Sequence, residues 1–502
     1  MKRIKSNYMS YKSIQNSNDN SSEDSNSNNS NVRYILQQLL NQTTSVDYRK
    51  EAGLDESEQL NQKHYLVITI EKLLKTAAEN EWGLCLDHET VYLYIGTHWE
   101  VVDKTDFQYF LGATALKMGV PVFDAKFHRF KNELWKQFIA TANLPIPDVD
   151  EYVNLINLNN GTLELSTDGR RFREHRREDF LKYKLPFDYD EQATCPKFQA
   201  FLNEVLPDNA LQNILAEYIG YVFINPKTLK LEKVLLLYGS GANGKSVIFD
   251  IIQALLGREN ISNFTLESLM GYSRASISDK LLNYASEISD RLNVDLFKQM
   301  VSGEPIEARQ IYGEPHTIYN YAKLMFNCNE LPNPGQHKDA FFRRFIIIPF
   351  EKKIEPENQD PELANKIIAD ELPGILNWAL AGMDRLVQKK AFTQSDKVDS
   401  LLHKYRKETD SVQVFLATNE IEPGTEKTRY LKDLYEAYRV CCKEEQLSIL
   451  GKRKFSEQLQ EHGFTVKRIN AGMVVLVDRA ETEEGENNQD ESSSPSSLYS
   501  LN

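Results

Sequence analysis

Cysteine is scarce in this chain, at five in 502 residues. Cys85, Cys195, Cys328, Cys441 and Cys442 show no C-x-x-C spacing and no pairing with histidine. That pattern excludes a disulfide framework and a zinc finger or ribbon, and it fits a reducing compartment. Long apolar runs are absent too, so nothing in the sequence predicts a membrane span. Lys2, Arg3 and Lys5 have no apolar stretch after them, which excludes a secretory signal. The expectation is a soluble, intracellular (cytoplasmic) protein with no membrane partner. Cations are in deficit, 59 Lys and Arg against 73 Asp and Glu, a net charge of −14. A general nucleic-acid coat is thereby excluded. No internal repeat is visible.

The acid excess is uneven. Residues 480–502 carry Glu481, Glu483, Glu484, Glu486, Asp490 and Glu491 without Lys or Arg, whereas 170–184 and 443–467 are rich in cations. An apolar share of 41% suffices for several cores. Residues 1–33 read as a disordered Ser/Asn-rich arm, too polar to order itself. Residues 34–147 read as a small α+β domain. Its signals are helices around Leu66–Leu74 and Phe127–Ala140, and a hairpin from Glu89 to Val101 turning at Gly96. Residues 148–230 hold short strands about an Asn159-Asn160-Gly161 turn, then helices over 197–224. A further block over 231–388 follows, then a Lys/Asp/Ser-rich stretch over 389–400. In the compact unit over 401–479, helices are expected over Thr428–Lys443 and Lys452–His462. Phe464–Ile469 and Met473–Val477 alternate as a two-stranded wing. Helix, helix, hairpin is the order of a winged helix. The tail 480–502 is expected to be disordered.

The most informative stretch is Val234-Leu235-Leu236-Leu237-Tyr238-Gly239-Ser240-Gly241-Ala242-Asn243-Gly244-Lys245-Ser246. An apolar run fit for a central parallel strand leads into G-x-x-x-x-G-K-S. Glycines there let successive N–H groups turn inward around a phosphate, at the positive end of the helix that follows. The pattern predicts a nucleotide site built from Gly239, Ser240, Gly241, Ala242, Asn243, Gly244, Lys245 and Ser246. Lys245 would reach the β/γ-phosphates of ATP, and the Ser246 hydroxyl would ligate Mg²⁺.

Four features follow within about a hundred residues. Leu281–Glu287 reads as a strand ending in a carboxylate, where a phosphate-loop enzyme needs an acid to hold Mg²⁺ and polarise the attacking water. Lys298–Tyr319 reads as a helix end and a hairpin displaying Arg309, Tyr312 and His316 near its tip. Cations and aromatics there suit single-stranded DNA, although an ordinary solvated hairpin reads the same way. Lys323–Pro332 is a strand ending in a polar amide suited to a lytic water or a γ-phosphate. Asn327 and Asn329 fall on the same face by alternation, so spacing does not choose between them. Phe341–Phe350 places Arg343 and Arg344 just ahead of a strand, as a finger acting on a neighbouring copy's γ-phosphate requires.

These features, in this order, resemble the superfamily-3 helicases, within them the phage and plasmid primase–helicases and the poxvirus primase–helicase proteins. Gly239–Ser246 is similar to motif A, Glu287 to the motif B acid, and Lys298–Arg309 to motif B′, whose hairpin contacts DNA in that family. Asn329 with Leu331-Pro332 looks like motif C, which selects Asn329 as sensor. Arg344 is similar to the arginine finger, with Arg343 as the other candidate. Glu371–Gly382, Asn159–Gly161, Leu185–Asp190 and Glu217–Tyr221 add to the likeness, which covers about 150–479. It implies an α/β fold: a P-loop NTPase with an AAA+-like superfamily-3 core, an N-terminal α+β region and a C-terminal winged helix. It also implies an ATP- and Mg²⁺-dependent DNA helicase, with catalytic Lys245, Glu287, Asn329 and Arg344 or Arg343, and metal ligands Ser246 and Glu287. Lys298, Arg309, Tyr312 and His316 would touch single-stranded DNA inside a homo-oligomeric ring, a hexamer moving 3′ to 5′. Replication of a phage, plasmid or other mobile element is the implied setting.

Two departures matter. Ile288 follows Glu287 where many members carry paired acids, and the next acid is Asp290. The first 150 residues hold no D-x-D strand motif, so no primase chemistry is expected in them, and a separate primase would act in trans. The competing readings are a replication initiator that binds origin duplex and uses ATP as an assembly switch, and a phosphate-loop small-molecule kinase. The cationic C-terminal unit, with Lys443, Lys452, Arg453, Lys454, Lys467 and Arg468, is as well suited to partner docking as to duplex DNA.

Overall fold

Val32, Leu36 and Leu39 recur at helical spacing and are buried, and that stripe carries the first helix into the Ser/Asn-rich arm. The computed structural model describes residues 24–479 except 88, 149, 151–152, 167–168, 286–292, 311–314, 333–340, 409, 446 and 448. Helix α1 spans Asp24–Gln42, so the arm expected to be disordered to residue 33 is helical from Asp24. Residues 1–23 and the acidic tail 480–502 lie outside the described residues.

The N-terminal region continues with α2 (Tyr48–Glu51), α3 (Gln62–Glu79), the antiparallel strands β1 (Leu84–Asp87), β2 (Thr90–Tyr94) and β3 (Trp99–Val101), then α4 (Lys104–Met118), α5 (Val122–Lys126) and α6 (His128–Thr141). Asp103 caps α4 by accepting from the N–H groups of Thr105 and Asp106, and Gly119 ends it in the left-handed region. Phe107, Leu111, Leu134 and Phe138 form the centre of its core. Next come β4 (Asn154–Leu158), β5 (Gly161–Ser166) and β6 (Gly169–Arg173), an antiparallel sheet, and the helices α7 (Pro196–Val205) and α8 (Asn209–Tyr221). The buried Glu371 carboxylate accepts from the N–H groups of Lys197 and Phe198 at 2.9 Å each, satisfying orphan donors of α7.

The central sheet is built from β7 (Val234–Tyr238), β8 (Ile261–Ser262), β9 (Leu282–Ala285), β12 (Lys323–Cys328) and β13 (Phe345–Pro349), ordered β8-β9-β12-β7-β13, all parallel. Between them run α9 (Lys245–Leu256), α10 (Leu266–Leu269), α11 (Val294–Val301) and the hairpin β10 (Ile306–Ala308) and β11 (His316–Ile318). Helices α12 (Leu363–Lys389) and α13 (Asp396–Glu408) follow. Strand alternation explains the layers. Leu235, Leu237, Met325, Ile346 and Ile348 point into one core with α8, α9 and α12. Val234, Leu236, Leu324, Phe326, Phe345 and Ile347 point into the other, with α10, α11 and the hairpin. A sheet covered on both faces needs such unbroken apolar strands.

Tyr405 of α13 is buried in that second core, with Leu401 and Leu402 packed beside it. The helix over 396–408 therefore belongs with the sheet, and the last unit starts after it rather than at 401. That unit comprises α14 (Ser411–Thr418), β14 (Ile421–Tyr430), α15 (Leu431–Glu444), α16 (Lys452–Glu461), β15 (Val466–Ile469) and β16 (Gly472–Arg479), with sheet order β14-β16-β15. Val412, Phe415, Tyr438, Phe455 and Val475 are its core. Thr428–Tyr430, expected as helix, is strand. Thr428 pairs with Leu476 and Tyr430 with Val474, because β16 offers an unpaired edge to a β-branched and aromatic triplet. No described helix is long and apolar enough to cross a membrane.

Candidate functional site

The glycine loop joins the C-terminal end of β7 to the first turn of α9. Ser240, Gly241 and Ala242 are exposed at its apex, while Asn243 and Lys245 are buried at its base. Gly244 caps α9 at φ +86, and a Cβ there would lie 2.9 Å from Val205 and 3.0 Å from Phe201. At Gly239 a Cβ would sit 2.4 Å from the Phe350 carbonyl oxygen. Both positions require glycine for space as well as backbone. Lys245 Nζ donates to the Gly239 carbonyl and, at 3.3 Å, to Asn243 Oδ1. Burial pulls the Lys245 pKa below the ordinary lysine value, with the Cys328 thiol working the other way. Burial pushes Cys328 up to about 12.

The donor set fits a nucleotide phosphate. The first-turn N–H groups of an α-helix have no intrahelical acceptor. Lys245 is held at the loop by carbonyl-type oxygens alone, and the Ser246 hydroxyl is exposed beside it. Phosphate oxygens are stronger acceptors for the same ammonium. Mg²⁺ keeps most of its ligands as water and phosphate, so one hydroxyl and one carboxylate are a sufficient protein share. Ser246 is the described candidate ligand. Glu287 lies outside the described residues, two positions beyond the end of β9.

Strand β12 lies between β7 and β9, so its end faces the loop. Asn327 pairs in register with Leu237, and the Gly239 N–H donates to the Cys328 carbonyl at 3.1 Å. The two asparagines that alternation left tied differ in burial. Asn327 is buried and its Oδ1 accepts from Tyr284 Oη at 2.8 Å. Asn329 lies just past the strand and is exposed next to the glycine loop.

The DNA-contact candidates divide. Arg309 and His316 are exposed across the β10–β11 hairpin, where Ala308 pairs with His316. Tyr312 lies outside the described residues. Lys298 stands apart from them on α11, with Nζ 3.2 Å from Asp295 one turn earlier. Tyr319, which motif reading passed over, is 74% exposed just past β11.

Arg343 and Arg344 fall in opposite environments. Arg344 is buried, with Nη2 3.1 Å from Ser302 Oγ and 3.2 Å from Glu232 Oε2. Burial lowers its pKa and the Glu232 charge opposes that fall. Arg343 is 64% exposed, and its Nη2 comes only to 3.9 Å of Glu232. Its carbonyl accepts from Lys233 Nζ at 2.5 Å. The solvent-facing arginine is thus Arg343, not the Arg344 favoured by motif resemblance. Because β13 runs parallel to β7, pairing Phe345 with Val234 and Pro349 with Tyr238, both arginines lie at the sheet edge opposite the glycine loop. Sequence reasoning gave no role to Ser302, inside the motif B′ stretch, or to Glu232, which lies outside every motif.

Residues 71–207 match the family described as D5 N terminal like, and residues 237–344 match a family of unknown function (DUF5906). Among curated proteins, the chain is 26% identical to the "Putative helicase L207/L206" of Acanthamoeba polyphaga mimivirus over 345 residues, covering 62% of this chain and 35% of that protein. It is 24% identical to the "Putative helicase 121R" of Invertebrate iridescent virus 3, covering 58% and 35%. It is 22% identical to the "Putative primase C962R" of African swine fever virus, covering 60% and 34%. The chain thus spans about a third of the length of these relatives. Among solved structures it is similar to the apo NrS-1 C-terminal region, at 13% identity and a TM-score of 0.45 over 84% of this chain and 100% of that one. Sheet and relatives together define the class: an α/β protein akin to viral proteins named as helicases and primases. Within that class the chain is similar to the D5-like primase–helicases, through the D5 N terminal like match over 71–207 and the helicase- and primase-named viral relatives.

Proposed function

We propose that this chain is an ATP- and Mg²⁺-dependent DNA helicase of replication, working as a homo-oligomeric ring, a hexamer, on single-stranded DNA. The observation that carries the reading is the placement of the glycine loop and Arg343 at opposite edges of one parallel sheet. Five residues of β7 at about 3.3 Å each put roughly 16 Å between those edges. An arginine so placed serves the nucleotide of an adjoining copy rather than its own. Head-to-tail contacts of that kind close into rings.

Bound at the loop, ATP supplies the phosphoanhydride whose cleavage drives movement, and Mg²⁺ offsets its charge. The chain's own parts divide the work. Loop N–H groups and Lys245 would orient the phosphates, and the Ser246 hydroxyl would hold the metal with help from Glu287. Asn329 orients the attacking water, and Arg343 of the adjoining copy offsets charge that develops on the γ-phosphate. Arg309, Tyr312, His316 and Tyr319 are the hairpin residues assigned to DNA. The 411–479 unit is read as a winged helix for duplex or origin DNA or for a replication partner such as a separate primase.

Mixing tests the reading directly. Lys245→Ala and Arg343→Ala copies should each be inactive alone, yet random co-assembly restores an intact site at about a quarter of the interfaces. Recovery of DNA-stimulated ATP turnover in the mixture is the expected result. Turnover by Arg343→Ala alone at the parent rate would end the trans-acting assignment. Duplex binding with turnover but no strand displacement on a fork would favour an initiator instead.

A further inference from the structure

Ser302 is 3% exposed and closes α11; Gly303, Glu304 and Pro305 then lead straight into β10, the first strand of the hairpin. The Arg344 guanidinium spans from Ser302 Oγ at 3.1 Å to Glu232 Oε2 at 3.2 Å. Glu232 precedes β7 at φ +54, a left-handed conformation that is unfavourable for a non-glycine residue. The fold tolerates that cost where it sets a carboxylate against Arg344. Aromatic rings fasten the same junction. Phe297 of α11 stacks on Phe345 with centroids 5.3 Å apart and planes 14° apart, and Phe341 packs on Phe345 at 4.6 Å. The stem of the hairpin and the arginine turn therefore form one packed body, with Arg344 as its polar cross-link.

Arg344 cannot swing outward without abandoning two partners, the buried Ser302 hydroxyl and the half-buried Glu232 carboxylate. Among the described residues, the Arg343 guanidinium has one distant, solvent-screened carboxylate, Glu232 at 3.9 Å. From this contrast we infer that Arg344 is a positioning residue: a strut through which DNA seated on Arg309 and His316, at the ends of β10 and β11, sets the position of Arg343 at the adjoining copy's nucleotide. The inference rests on the helicase reading above and deepens it, by naming the path from DNA to ATP turnover: hairpin stem, Ser302, Arg344, Arg343. The path is short and contiguous, with every link a contact at the base of the hairpin.

The test is the ratio of ATP turnover with single-stranded oligonucleotide to turnover without it, measured on the full chain alongside DNA affinity and a melting curve. Ser302→Ala removes one oxygen from the strut. It should cut the ratio about tenfold or more, the worth of one hydrogen bond to a charged group, at unchanged oligonucleotide affinity. Arg344→Lys keeps the charge facing Glu232 but loses the fork, and should fall between Ser302→Ala and the parent. Parent-like stimulation in both variants overturns the inference. If Ser302→Ala lowers the melting temperature, Arg344→Lys decides alone, by whether its ratio falls. Failure of the helicase reading looks different: Arg343→Ala then turns over ATP normally, whatever Ser302 does.

Discussion

Asn243 Nδ2 donates to the Phe350 carbonyl at 3.2 Å, tying the glycine loop to the residue after β13. The same amide donates to the Ser240 carbonyl at 2.5 Å, so one side chain sets both the curl of the loop and its seat on the sheet. A Cβ at Gly239 would sit 2.6 Å from that amide and 2.4 Å from the Phe350 oxygen. Gly241, by contrast, has nothing within 4 Å of its Cβ position. Gly239→Ala should therefore displace the loop at a cost of about 1–3 kcal/mol and weaken binding of a fluorescent ATP analogue about tenfold or more. Gly241→Ala should bind the analogue within about threefold of the parent, a difference under 1 kcal/mol. Equal losses at the two glycines would contradict the loop geometry.

Removing the Lys245 ammonium separates chemistry from folding. Burial already depresses its pKa, so the charged form is held at a desolvation cost in the ligand-free protein. Lys245→Ala should abolish strand displacement and ATP turnover while leaving the melting temperature at or slightly above the parent value. Displacement that survives the change places the nucleotide elsewhere.

The two asparagines should part company in the same assays. Asn327→Ala leaves the buried Tyr284 hydroxyl without its acceptor, which costs about 1–3 kcal/mol and shows as a lower melting temperature. Asn329 is exposed beside the loop, so Asn329→Ala should leave the melting temperature alone and lower kcat with little change in KM for ATP. A stability loss at Asn329 with normal kcat would remove it from the site.

Local patterns explain how much of this was legible. β7, the glycine loop and α9 announce themselves within one short stretch, because a strand buried on both faces and a phosphate turn each need their residues consecutively. The parallel sheet follows from several such strands. The environment of Arg344 does not, since Ser302 and Glu232 are 42 and 112 residues away in the chain and no local spacing ties either to it. Alternation along β12 left Asn327 and Asn329 tied, and resemblance to motif C selected Asn329; the difference in their burial comes from Tyr284 on β9, a tertiary contact that spacing cannot supply. Thr428–Tyr430 misled for the opposite reason: helical spacing continued upstream of Leu431, but pairing with β16 outweighed it.

Lys323 opens β12 with its Nζ 4.2 Å from the centre of the Tyr221 ring, and burial brings its pKa down to about 8. An exposed lysine in the unfolded chain titrates near 10.5, so the folded state gives up its proton first. Between those two values the unfolded chain binds more protons, and stability rises with pH. Below about 8 both states are protonated, and the fold bears the whole cost of the buried charge, offset in part by the Tyr221 ring. Lys323→Met keeps the length of the side chain and removes the charge. It should raise the melting temperature most near pH 7, with the advantage shrinking steadily as pH approaches 10. Scanning calorimetry of parent and variant across that range is the check, with the difference between them cancelling the titration of every other group. A difference that stays constant with pH would mean that Lys323 keeps an ordinary lysine pKa in the fold.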